Sequence, residues 1–207
     1  MTTIAIIGLG NMGEGLARRL AGRADLVLAA RDEARAATLA ASIGAGSAPI
    51  DAAVAAADVV VLALPYDAAL DFAARSDLGA KVVVDMNNPV TADFSGLRFG
   101  HDTSAAERLQ AAAPGARVVK AFNTVFAQLF GQPRAATAAV PVFLAGDDGA
   151  AVDAVASLVE AAGFTPDRTG GLDAARLLEP VGMLNIRLGY GLGRGTAMAP
   201  AWVPVAA

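Results

Sequence analysis

Short apolar runs alternate with alanine-rich stretches of helical spacing through most of this chain. Ile4–Ile7, Leu26–Ala29, Val59–Leu64, Val82–Asp85, Arg117–Ala121 and Pro141–Ala145 read as strands. The unbroken apolar character of Val59–Leu64 predicts a strand buried on both faces. Between the strands, Asn11–Ala21, Asp32–Ser42, Asp51–Ala57 and Tyr66–Arg75 read as helices, with Leu16 and Leu20 one turn apart in the first. Ser104 and Glu107 have capping-box spacing, so a further helix opens there. Asp147–Ala162 reads as a long helix with acidic residues in its first turn, stopped by Gly163, before a last short strand from Phe164 to Pro166. Strand-helix alternation of this kind predicts an α/β fold, a Rossmann-like doubly wound and mainly parallel sheet.

The pattern changes after Gly170-Gly171. Leu172–Leu188 is helical, with Pro180 as a kink or a new start. The run Gly189-Tyr190-Gly191-Leu192-Gly193-Arg194-Gly195 is poor for any regular element. The expected division is a dinucleotide-binding domain over residues 1–169 and a small extension over 170–207.

Composition narrows the chemistry. The 207 residues carry no cysteine and one histidine, His101, which removes thiolate metal sites, cysteine nucleophiles and histidine clusters; no metal site is expected. The net charge of −4 disfavours nucleic acid as a partner, and no run of Lys or Arg suggests a membrane surface. Neither an export signal nor an apolar stretch of about 18 residues is visible, so the cytoplasm is the expected location.

Gly8-Leu9-Gly10-Asn11-Met12-Gly13 matches G-x-G-x-x-G between a strand and a helix. In that context the first glycine permits the tight turn, Gly10 lets a pyrophosphate approach the backbone, and Gly13 lets helix and sheet pack closely. The free N–H groups of the helix start then face the phosphates. At the end of the second strand, Ala30 stands where an NAD-binding acid belongs, followed by Arg31 and, one turn on, Arg35. Two guanidinium groups suit the 2′-phosphate of NADP(H); the other reading makes them surface charges and Asp32 the ribose ligand. Leu64-Pro65-Tyr66 and Asn87-Asn88-Pro89 end strands at the ligand edge, as cofactor contacts or as plain turns. Lys120 and Asn123 end another and are the candidate catalytic residues, although Lys120 could simply pair with a carboxylate. His101 reads as a loop residue.

Several segments together carry a resemblance: Ile6–Gly13, Ala30-Arg31, Leu62–Tyr66, Thr103–Glu107, Val119–Thr124, Ala145–Asp148 and Ala175–Pro180. The chain resembles the NADPH-dependent coenzyme F420 reductase family, and its Phe122-Asn123-Thr124 region is also similar to the NADPH module of the STEAP metalloreductases. The resemblance implies a Rossmann domain with a small C-terminal cap, a homodimer joined through the apolar C-terminal segment, and coenzyme F420 as second substrate. It places loop contacts on Gly10, Asn11 and Met12, 2′-phosphate contacts on Ala30, Arg31 and Arg35, and strand-end contacts on Leu64 and Pro65. It puts Asn123, a histidine in some archaeal members, beside the nicotinamide. Two alternatives remain at this level. One is an NADPH-dependent reductase of a small imine or carbonyl compound, which needs a proton donor drawn from Tyr66, Lys120, Asp85 or Tyr190. The other is a non-catalytic NADP(H) sensor.

Overall fold

A computed structural model describes residues 2–203 and Val205; the last residues of the expected extension, 204, 206 and 207, lie outside the described residues. The strands are β1 (Thr3–Ile7), β2 (Asp25–Ala29), β3 (Gly46–Ser47), β4 (Val59–Leu62), β5 (Val82–Asp85), β6 (Arg117–Lys120), β7 (Pro141–Gly146) and β8 (Thr165–Arg168). The helices are α1 (Asn11–Leu20), α2 (Glu33–Ile43), α3 (Ile50–Ala56), α4 (Tyr66–Arg75), α5 (Ala105–Ala112), α6 (Arg134–Thr137), α7 (Gly149–Ala162) and α8 (Ala175–Ile186). One sheet runs β3-β2-β1-β4-β5-β6-β7-β8, parallel throughout except for β7 against β6. This is the doubly wound Rossmann order, with its reversal between β1 and β4.

Alternation along the strands explains the two cores. Ile4 and Ile6, Val59 and Val61, and Val82 and Val84 face α1, α2 and α7. Ala5 and Ile7, Val60 and Leu62, and Val83 face α3, α4 and α5. These central strands are apolar on both faces because helices cover both.

Local signals hold where a side chain fixes them. Ser104 caps α5, accepting from the N–H of Glu107 at 3.2 Å while donating to its carboxylate at 2.8 Å. Three expectations are corrected and one short strand is added. β4 ends at Leu62: the N–H of Ala63 still donates to the carbonyl of Ile7 at 3.0 Å, and the chain leaves the ladder beyond that bond. Asp147 and Asp148 precede α7, with Asp148 as its cap, so the first turn holds no acid. The two-residue β3 was not foreseen, being too short to leave a pattern. The glycine-rich run is partly helical: α8 continues through a wide turn over Arg187–Gly191, where Gly189 lies against Phe126 with no room for a Cβ.

After β6 the chain turns sharply at Phe122, which is buried with a left-handed φ of 60°. The loop beyond is held by Arg19 at the end of α1. Its guanidinium donates to the carbonyls of Phe130 (2.7 Å), Leu129 (2.8 Å) and Gln132 (2.8 Å). α8 then crosses to this loop, where Asn185 donates to the carbonyl of Thr124 at 3.0 Å.

Candidate active site at the carboxyl ends of the strands

The ends of β1, β2 and β4 open into a cleft of about 630 Å³. Gly8, Gly10, Ala30, Arg31, Arg35, Leu64 and Pro65 all line it. Gly8 has a φ of +96°, and a Cβ there would lie 2.6 Å from the carbonyl oxygen of Ala63. Gly13 is closed for another reason: a Cβ would fall 1.9 Å from the carbonyl oxygen of Gly8. Gly10 is the opposite case. It precedes α1, no side chain caps the helix there, and a Cβ would meet nothing within 4 Å. The free N–H groups of the first turn are therefore left open at the cleft, the arrangement that suits an anion. Asn11 is exposed beside them, and Met12 packs partly into the core.

The far wall carries the charge. Arg31 is exposed and makes no salt bridge among the described residues. Arg35 meets Glu14 of α1 at 3.3 Å across the cleft mouth. Asp32 is the N-cap of α2, its carboxylate accepting the N–H of Arg35 at 2.9 Å. One oxygen of that acid serves the helix while the side chain lines the cleft beside the two cations, of which Arg31 is the unpaired one among the described residues.

Tyr66 departs from its expected place. Its ring stacks edge-on against Phe99, with centroids 5.3 Å apart, and lies beneath Arg98. It is absent from the lining of the cleft. Burial holds its phenol above the ordinary range, and its hydroxyl has no partner among the described residues. The start of α4 aims the ring at the loop that precedes α5, a direction the sequence position alone does not fix.

Lys120 also departs from the reading as a catalytic group. It is fully buried. Its ammonium donates to Asp85 Oδ2 at 2.8 Å, to the carbonyl of Asn87 at 2.5 Å and to Glu179 Oε1 at 2.7 Å, which uses all three N–H bonds. Burial opposes the charge, but the two carboxylates outweigh it and hold the amine above its ordinary value. Burial pushes the Glu179 carboxyl up against the pull of Lys120. Asn123 and Asn88 are paired: Asn88 Nδ2 donates to the Asn123 carbonyl at 2.6 Å, and Asn123 Nδ2 donates to Asn88 Oδ1 at 3.0 Å and to the carbonyl of Leu178 at 2.8 Å. Sequence reasoning missed Glu179, which nothing local marks as a partner of Lys120. His101 is exposed in a turn.

Residues 3–89, the segment holding the glycine loop, the two arginines and Asn88, match the family model described as NADP oxidoreductase, coenzyme F420-dependent. Over nearly the whole length the chain is similar to a provisionally named F420-dependent NADP reductase of Arthrobacter sp. FB24. That match has 28% identity, 95% of this chain and 97% of the other covered, and a TM-score of 0.81. The chain belongs to the coenzyme F420-dependent NADP oxidoreductase family. This oxidoreductase also matches the hypothetical protein SMa0349 of Sinorhizobium meliloti at 33% identity, covering 84% and 88% of the two chains with a TM-score of 0.76. It is 32% identical to the metalloreductase STEAP3 of Rattus norvegicus over 181 residues, 86% of this chain, but it spans only 36% of that relative. The likeness to a reductive aminase of Aspergillus terreus, at 22% identity and a TM-score of 0.68, is one of fold. In this oxidoreductase no helix among the described residues is long and apolar enough to cross a membrane.

Proposed function

We propose that this oxidoreductase binds NADPH across the ends of β2, β1 and β4 and exchanges a hydride with the deazaflavin coenzyme F420. The observation that carries the cofactor half is the cleft itself. Gly10 leaves the start of α1 open, while Arg31 and Arg35 face the cleft and Asp32 is engaged in capping α2. The glycine loop and helix start would hold the pyrophosphate, Arg31 and Arg35 the 2′-phosphate, and Leu64 and Pro65 the adjoining ribose. Bound NADPH supplies the hydride, and the protein's task is to orient it and keep water away.

Gly10→Ala tests the cradle. Fold stability should change by about 1 kcal/mol or less, since the added methyl meets open space and only a weak cap preference is lost. NADPH affinity, read by its fluorescence on binding, should fall by at least about tenfold because the methyl stands where the phosphates approach.

The acceptor half rests on the family and on the chemistry available. A small imine or carbonyl substrate needs a proton donor at the reacting carbon. Lys120 and Asp85 are sealed in the interior, and Tyr66 is buried under Phe99 and Arg98. Tyr190 alone of the four candidates is exposed. It borders an open hollow of about 750 Å³ with Phe94, Met183, Ile186 and Leu192, which suits a flat ring; Arg187 offers a cation to an acidic tail, on a rim it shares with Asp93. Purified protein mixed with NADPH and oxidised F420 should bleach the deazaflavin absorbance, and NADH should not support the change. Tight NADPH binding without bleaching would transfer the assignment to another acceptor or to a sensor.

The same reading makes the protein a cytoplasmic homodimer. Leu177, Val181, Leu184 and Leu188 follow one another at helical spacing along α8 and its continuation, with Leu177 68% and Leu184 55% exposed. An apolar stripe of this kind fits a second copy. Leu184→Lys should convert a dimer to a monomer in sedimentation; a monomeric parent protein would end the idea.

A further inference from the structure

Lys120, Asp85 and Glu179 form a buried charged trio that the hydride reaction itself does not use. Asp85 and Lys120 are fully buried and Glu179 almost so. The trio is one arc of a closed circuit. Lys120 at the end of β6 holds Glu179 of α8. Next to Glu179, the carbonyl of Leu178 accepts from the side-chain amide of Asn123. Asn123 is doubly bonded to Asn88. Beside Asn88, the carbonyl of Asn87 accepts from Lys120, while Asp85 Oδ1 accepts both the N–H of Asn87 (2.9 Å) and its side-chain amide (2.7 Å). Glu179 also reaches outward, both carboxylate oxygens accepting the N–H of Ala105 at 2.9 and 3.1 Å, so the start of α5 is fixed to the same point. The ends of β5 and β6, the start of α5 and the middle of α8 are thus joined through one ammonium.

Stability alone is a poor explanation for such an arrangement. An apolar trio of similar volume serves a fold as well as a buried ion network or better. What the network adds is direction: each bond holds to a narrow range of distance and angle, where apolar contacts allow sliding. One polar atom of the circuit, Asn123 Oδ1, is buried and has no partner among the described residues, so the strand-end side of the circuit is not saturated by these groups. In a doubly wound sheet the dinucleotide lies over the carboxyl ends of the strands, and β5 and β6 continue the row that begins at the phosphate loop.

We infer that Lys120, Asp85 and Glu179 are positioning residues for hydride transfer: they set the height and tilt of α8 over the ends of β5 and β6, and with it the spacing of donor and acceptor rings. The inference rests on the reading of the protein as an NADPH-dependent hydride carrier.

Two variants test it. Glu179→Gln keeps the size of the side chain but sets an amide NH₂ against either Lys120 or the Ala105 N–H. The triple variant Lys120→Met, Asp85→Leu, Glu179→Met replaces the network by apolar groups. With F420 as acceptor, each folded variant should bind NADPH within about threefold of the parent, and kcat should fall at least about thirtyfold. The primary isotope effect from 4-deuterated NADPH should rise as the chemical step becomes limiting. Parent-like kcat in either folded variant overturns the inference. If the parent itself shows no turnover, the hydride reading fails separately, and the fluorescence lifetime of bound NADPH decides the positioning role. A lifetime changed in Glu179→Gln at parent-like affinity upholds control of the nicotinamide's setting; an unchanged lifetime overturns it.

Discussion

Arg31→Ala is expected to weaken NADPH binding by about 10- to 100-fold while leaving NADH within about twofold. A hydrogen-bonded charge is worth roughly 1.5–3 kcal/mol, and about 1.4 kcal/mol corresponds to a factor of ten. Arg31 is the natural source of that energy, because it lines the cleft and makes no salt bridge among the described residues. Arg35 is already engaged with Glu14, so its replacement should cost less. Titration of both cofactors against parent and variant by fluorescence is the measurement. Equal losses for NADPH and NADH would remove the 2′-phosphate assignment and return Asp32 to consideration, despite its role as the cap of α2.

Lys120→Met should have the largest effect on stability of any single change considered. It leaves Asp85 and Glu179 facing each other in the interior with no cation between them. Removing one partner of a buried ion pair costs about 3–5 kcal/mol, against a total stability of about 5–15 kcal/mol for a typical domain. For a chain of this size each kcal/mol lowers the melting temperature by about 2–4 °C, so a fall of roughly 6–20 °C is expected. Differential scanning calorimetry on the parent and variant reads it directly. A loss below about 1 kcal/mol would mean that one carboxyl is already protonated and the network is weaker than its geometry indicates.

What the chain reveals before folding depends on how local the cause is. The glycine loop is legible because its causes are local: Gly8 turns with a φ of +96°, and a Cβ on Gly13 would fall 1.9 Å from the carbonyl oxygen of Gly8, five residues back. The cap at Ser104 is legible for the same reason. Arg31 could be placed because the second strand fixes its distance from the loop. Lys120 could not, since its partners lie 35 and 59 residues away and only the assembled sheet and α8 bring them together. The direction of the Tyr66 ring is not legible either, because the position of Phe99 depends on the course of the whole segment between β5 and α5. The reversal of β7 is likewise invisible in an apolar run, which reads the same in either direction.

The late position of Glu179 in the chain has a consequence for synthesis on the ribosome. Asp85 and Lys120 form a one-to-one pair that can close as soon as β6 joins β5. At about 5–20 residues per second, the 59 residues separating Lys120 from Glu179 correspond to a delay of about 3–12 s. The nascent sheet can therefore complete an electrically balanced interior first. The third charge arrives with the helix that carries it, so docking of α8 can follow as a separate step once β5 and β6 are paired.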